Sequence, residues 1–230
     1  MIYQFSGVCP VCSGKDFTQS DVLWPELINA WQLSFSDVAY VNRQQGFHCK
    51  LCNNNLRSMA LAAAILREYR FLGPLNRFYE LHADLVVYEI NRAGNLTPFL
   101  ENLQAHKLFE YPQFDMLDLK IESESADLVV HSDTLEHIDN PERAMSECRR
   151  ILRSNGRCIF TVPIIVGRLS RFRNGLSPSY HGDPNINSND QLVFSEFGAD
   201  MWKFIIRAGF SSCEIFAFEY PAALVLIAKK

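Results

Sequence analysis

Four cysteines fall in two pairs, Cys9-Pro-Val-Cys12 and Cys49-Lys-Leu-Cys52. A Cys-x-x-Cys sets two thiols on one tight turn, and two such knuckles supply the four soft ligands of a tetrahedral, structural Zn2+. Pro10 and Gly14 suit the turn of the first knuckle. At the second, Lys50 offsets thiolate charge and Asn53 tolerates the positive φ that glycine often supplies. The 36 residues between Cys12 and Cys49 leave room for a hairpin or a helix. Two other readings stay open: a thioredoxin-like redox pair, which would expect one Cys-x-x-Cys in a βαβ context, and four unrelated thiols. His48 is a fifth candidate ligand, but a filled four-cysteine site has no vacancy. Cys148, Cys158 and Cys213 lie in apolar-periodic segments and read as small core residues.

Further along, carboxylates and histidines fall where strands should end. Glu89 closes an apolar run, and the turn after it, Ile90-Asn91-Arg92-Ala93-Gly94-Asn95, has small residues that would let a ligand approach the backbone. The G-x-G-x-x-G of a dinucleotide site is absent. His137 and His181 are candidate general bases, since an ordinary imidazole titrates near 6.5. Arg168, Arg171 and Arg173 could hold an anion or form a solvated face.

The elements that must position these groups follow from periodicity. Leu56 to about Arg70 keeps a helical period and stops at Gly73-Pro74. Beyond it, strands at 85–90, 107–110, 126–131 and 158–162 alternate with helices at 96–104 and 141–152, the latter capped by Asn140 with Pro141 in first position. Residues 164–195 read as an irregular insert, and 164–190 as a lid over the acceptor site. Ser195 is expected to cap a helix over 196–208, before strands at 212–218 and 223–228. Strands alternating with helices imply an α/β fold, a doubly wound and mostly parallel sheet, here with an antiparallel edge hairpin. The divisions expected are 1–55, a zinc-ribbon-like module built on the four paired cysteines; 56–80, a linking helix; and 81–230, the α/β domain.

Composition bounds the function. With 22 basic and 26 acidic residues the net charge is −4. That argues against a nucleic-acid partner, which needs a basic surface. Hydrophobic residues make up 48%, enough for a real core and too many for a disordered chain. No apolar run reaches the ~20 residues of a membrane span. The N-terminus shows no signal-peptide pattern, so a cytoplasmic location is expected.

The stretch Ala126-Asp127-Leu128-Val129-Val130-His131-Ser132-Asp133-Thr134-Leu135-Glu136-His137-Ile138-Asp139-Asn140-Pro141-Glu142-Arg143-Ala144 resembles the central motif of class I S-adenosylmethionine-dependent methyltransferases of the type 11 family. The likeness continues through Glu147–Pro163 and covers about residues 80 to 228. It implies a Rossmann-like methyltransferase fold, S-adenosylmethionine as cofactor and a small-molecule or glycan acceptor. By position, Glu89 would orient the methionine part and the loop, with Asn91, Ala93 and Gly94 wrapping the cofactor. Glu110 would accept the ribose hydroxyls. Asp115 and Met116 would meet the adenine, and Ser132 and Asp133 would sit beside the sulfonium. The family loop carries two or three glycines and this one only Gly94. The alternatives are an RNA methyltransferase that holds its substrate with the zinc module, and a non-catalytic interaction protein.

Overall fold

The computed structural model describes residues 5–180 and 191–230. The candidate base His181 lies outside them. Near the N-terminus, β1 (Phe17–Gln19) pairs antiparallel with β2 (Phe47–Cys49), and α1 (Pro25–Trp31) and α2 (Phe35–Gly46) fill the spacer between them. Ser34 starts α2 with a reciprocal cap: its hydroxyl accepts from Asp37 N at 3.2 Å, and the Asp37 carboxylate accepts from Ser34 N at 2.9 Å. After the second knuckle, α3 (Leu56–Glu68) begins where Asn55 Oδ1 accepts from Ser58 N at 2.9 Å.

The main sheet follows from α4 (Tyr79–His82) onward. Its strands are β3 (Val87–Ile90), β4 (His106–Phe109), β5 (Ala126–Ser132), β6 (Leu152–Thr161), β10 (Ser212–Glu219) and β11 (Ala223–Lys229). Their spatial order is β10-β11-β6-β5-β3-β4. β3 to β6 run parallel, and β11 runs against its neighbours β6 and β10. This is the mostly parallel sheet with an antiparallel hairpin that the alternating pattern implies.

Because successive strand residues face opposite sides, β5 feeds two cores. Leu128 and Val130 pack with α3, while Val129 packs with Met145 and Cys148 of α6 (Pro141–Ile151) and with Ile205 of α7 (Trp202–Arg207). Leu56, Met59, Leu61 and Ile65 of α3 are fully buried, each contributing about 1.5–3 kcal/mol of hydrophobic stabilisation. The segment expected to link two units is thus a layer of the core. Cys9, Val11 and Cys49 belong to the same buried cluster as Val87 and Ile159.

Three expectations need correction. The helix expected at 96–104 is a 3-10 turn, Gly94–Leu96, and the short α5 (Thr97–Leu100), with Pro98 in its first turn. Residues 164–195 are not irregular throughout: β7 (Ile164–Ile165), β8 (Arg171–Phe172) and β9 (Ser195–Gly198) form a small sheet in the order β7-β9-β8. Ser195 therefore opens a strand rather than capping a helix, and α7 starts only at Trp202. The reason is Glu196. It is wholly buried and collects Arg168, Arg171 and Arg173, with Arg171 Nε 2.8 Å from its Oε2. The arginines do hold an anion, but it is an internal carboxylate, set directly opposite Arg171 in the β8–β9 pairing.

Candidate functional site

In a doubly wound sheet, ligands bind beyond the carboxyl ends of the strands at the point where strand order reverses. Here the order reverses at β3: the chain passes from β3 to the edge strand β4 on one side and returns to β5 on the other. A cavity of about 680 Å³ opens at that point. Asn91 lines it from the end of β3, Asp115 and Met116 from the connection after β4, Ser132 and Asp133 from the end of β5, and His137 from the turn that follows. Tyr111, Phe114 and Phe194 supply aromatic surface that sequence reasoning missed.

The glycine-poor loop turns by other means. Asn91 has φ 54, in the left-handed region, and Gly94 has φ 61. Asparagine is among the few non-glycine residues that visit this region routinely. Its side chain also secures the next strand end, Oδ1 accepting from Tyr111 N at 2.9 Å. A Cβ at Gly94 would meet nothing within 4 Å, so that face of the loop is open to a ligand.

Glu89 acts from behind the loop. It is wholly buried, with Oε1 accepting from Ala93 N at 2.7 Å and from Thr97 Oγ1 at 2.5 Å, while His106 Nε2 donates to Oε2 at 2.8 Å. Ala93 is itself buried. Glu110 stands apart: half-exposed, it is not among the lining residues and accepts from Arg92 Nε at 3.1 Å. β4 ends at Phe109, and the guanidinium draws the next carboxylate to the rim. Asp115 Oδ1 accepts from Leu117 N at 2.8 Å, which orients the carboxylate, and Met116 gives a buried apolar surface beside it.

Asp133 is gripped from the N-terminal part. Arg57 at the start of α3 ion-pairs with Oδ2, Gln45 Nε2 donates to the same oxygen at 3.0 Å, and Thr161 Oγ1 reaches Oδ1 at 3.3 Å. Ser132 Oγ lies 2.8 Å from Thr161 Oγ1. No local sequence signal marks Arg57 or Gln45, because each is more than 70 residues from its partner.

His137 Nδ1 lies 3.0 Å from the Leu192 carbonyl. A carbonyl only accepts, so Nδ1 carries the proton and the basic lone pair falls on Nε2. Glu136 Oε1 is 3.8 Å from Nε2, close enough to stabilise the ring once it is protonated.

A second cavity, about 610 Å³, adjoins the first, and Arg92, Ser132, Asp133 and His137 line both. Its far wall comes from α1, α2 and β7.

The four paired cysteines converge. Cys9 and Cys52 Sγ are 3.7 Å apart, Cys12 and Cys49 Sγ are 3.6 Å apart, and all four sulfurs lie within 4.8 Å of one another. A tetrahedron of Zn–S bonds of about 2.3 Å has edges of roughly 3.8 Å, so the spacing fits a metal. The two knuckles repeat one geometry. Ser13 N donates to Cys9 O and Asn53 N to Cys49 O, each at 2.8 Å, with φ of 64 at Ser13 and 56 at Asn53. Gly14 is required: a Cβ there would stand 2.9 Å from Cys49 Sγ. Within the cluster the hydrogen bond from Cys9 pushes the Cys52 thiol down, and the same bond pushes that of Cys9 up.

Residues 73–160 match the family model described as a methyltransferase domain. Among solved structures, a SAM-dependent methyltransferase from Thermotoga maritima is 16% identical, with a TM-score of 0.39 over 74% of this chain and 98% of that one. A SAM-dependent methyltransferase from Methanosarcina mazei is 13% identical, with a TM-score of 0.40 over 66% and 86%. The trans-methyltransferase CalH in complex with SAH is 11% identical, with a TM-score of 0.45 over 84% and 57%. No curated protein matches the chain. The matched segment contains the ends of β3 and β5 that line the first cavity.

Proposed function

We propose that the first cavity is the cofactor site, that the acceptor is a small molecule reaching it through the second cavity, and that Cys9, Cys12, Cys49 and Cys52 hold a structural Zn2+. The observation that carries this reading is convergence. Asn91, Asp115, Met116, Ser132 and Asp133, each expected from sequence to surround the cofactor, line one cavity together with the candidate base His137.

When bound, S-adenosylmethionine supplies an activated methyl group on a sulfonium, so the protein's work is positioning, exclusion of water and proton removal. Asp115 would accept from the adenine amine and Met116 would offer its apolar surface to the ring. Asn91 would leave the loop backbone accessible to the cofactor tail, while Gly94 lines the second cavity. Glu89 holds that loop rather than touching the ligand, and Glu110 can turn to a ribose only by releasing Arg92. Asp133, fixed by Arg57 and Gln45, would stand beside the sulfonium. His137 Nε2 takes the acceptor's proton, and Glu136 stabilises the imidazolium.

Calorimetry with S-adenosylhomocysteine tests the cofactor site. The wild type is expected to bind it, and Asp115→Ala to bind about tenfold more weakly, the loss typical of a hydrogen bond to a charged group. Absence of both heat and a thermal shift in the wild type would sink the reading. Elemental analysis of the purified protein should find one zinc per chain, and none in a Cys49→Ser, Cys52→Ser double variant.

A further inference from the structure

The second cavity has a definite chemical character. Its far wall is carbon: Leu23, Trp24, Leu27, Leu33 and Val41 from the spacer between the knuckles, closed by Ile165 of β7. Trp31 backs this wall, buried, with its indole N–H donated to Ser179 Oγ at 2.9 Å. The near wall is the border with the cofactor cavity, where Ser132, Asp133 and His137 stand.

Most of its polar groups are already engaged, the buried exceptions among the described lining residues being Arg57 Nε and Gln191 Oε1. Arg57 pairs with Asp133, and Arg92 lies 3.1 Å from Glu110 and 3.8 Å from Glu101. Among the described lining residues, then, each guanidinium is matched by a carboxylate, and Glu101 stays beside Arg92 if Glu110 turns away. Gln45 spends its amide on Asp133 and its carbonyl on Asn55 and Arg57, while His48 Nδ1 faces the Gly46 carbonyl at 3.0 Å. A glycan would bring many hydroxyls against leucine, valine and isoleucine, where they would go unpaired. The volume lies in the ordinary range for small-molecule sites, about 300–1,000 Å³.

We propose that this cavity is the acceptor site and that its occupant is an uncharged aromatic molecule methylated on a phenolic hydroxyl; the proposal rests on the methyltransferase reading above. The ring lies against Trp24 and its leucine neighbours, and the hydroxyl points to the border. A phenol, with a pKa of about 10, is within reach of an imidazole base. The acceptor oxygen bonds to the methyl carbon as the carbon–sulfur bond breaks. Sulfur keeps that electron pair and leaves as a neutral thioether, and the hydroxyl proton passes to His137 Nε2.

The test uses the full chain and three probes: 1-naphthol, 1-naphthyl phosphate and N-acetylglucosamine. Binding is read by tryptophan fluorescence and calorimetry, with S-adenosylhomocysteine binding measured separately on every protein. The expected result is that 1-naphthol binds at least tenfold more tightly than the other two and yields its methyl ether when S-adenosylmethionine is added. Trp24→Ala should weaken 1-naphthol about tenfold while S-adenosylhomocysteine affinity stays within about twofold. A second variant, Leu27→Gln, should act in the same direction. If S-adenosylhomocysteine binds and 1-naphthol does not, or if the phosphate or the sugar binds as well as naphthol, the acceptor class is overturned and the methyltransferase reading stands. If S-adenosylhomocysteine does not bind, the methyltransferase reading fails instead.

Discussion

Asn91 shows how one side chain can replace a glycine at a ligand-facing turn. Its φ of 54 would cost an ordinary L-residue roughly 1–2 kcal/mol. Asn91→Gly should therefore keep the turn and lose only the bond to Tyr111 N, whereas Asn91→Ala should be less stable than Asn91→Gly by about 1 kcal/mol in urea unfolding. Equal stability of the two variants would show that the turn carries no strain. His131 offers a pH-dependent counterpart. It stacks on Phe160 at 4.4 Å and is wholly buried, and burial pushes its pKa down to about 3. The unfolded chain binds a proton near pH 6.5 that the folded state refuses. The associated stability is complete above pH 6.5 and drains as pH falls toward 3, at up to about 1.4 kcal/mol per pH unit. Unfolding free energies of His131→Leu should fall less steeply over that window than those of the wild type; parallel curves would remove the linkage.

The second knuckle and the cofactor loop are clasped to each other. Asn54 Nδ2 donates to Asn95 O at 3.1 Å, and Asn95 Nδ2 returns a bond to Asn53 O at 2.7 Å. The first knuckle is tied to the turn after α3: Leu75 N donates to Pro10 O at 2.8 Å and Asn76 N to Val11 O at 3.0 Å. A metal that fixes the knuckles would thus hold the loop bearing Gly94. Chelation should lower S-adenosylhomocysteine affinity about tenfold and Asn95→Ala should do so too, with the variant responding less to the chelator. Unchanged affinity in the zinc-free protein would mean that the knuckle serves folding alone.

Across the whole molecule, one buried cluster runs from Cys9 and Cys49 through α3 to Val130, Ile159 and Ile227. Units that share a core melt together. Calorimetry should give a single endotherm with equal calorimetric and van 't Hoff enthalpies, and a chain lacking 1–55 should expose the face of α3 around Leu56 and Met59 and aggregate. Two separable transitions would argue for independent units. No helix among the described residues is long and apolar enough to cross a membrane.

What could be known beforehand was local. The spacing of Cys9, Cys12, Cys49 and Cys52 marks a four-sulfur cluster because two tight turns already fix half of its geometry. The alternation of apolar runs and helical periods implies the parallel sheet, and the motif from Ala126 to Ala144 points to the cavity at the end of β5. Long-range pairing was not legible. Nothing near Arg57 or Gln45 announces Asp133, nothing near Glu196 announces three arginines that turn an expected helix into β9, and nothing at Trp24 or Leu27 says that they wall a cavity beside His137. Those contacts join residues tens to more than a hundred positions apart, and only the packing of the folded chain brings them within bonding distance.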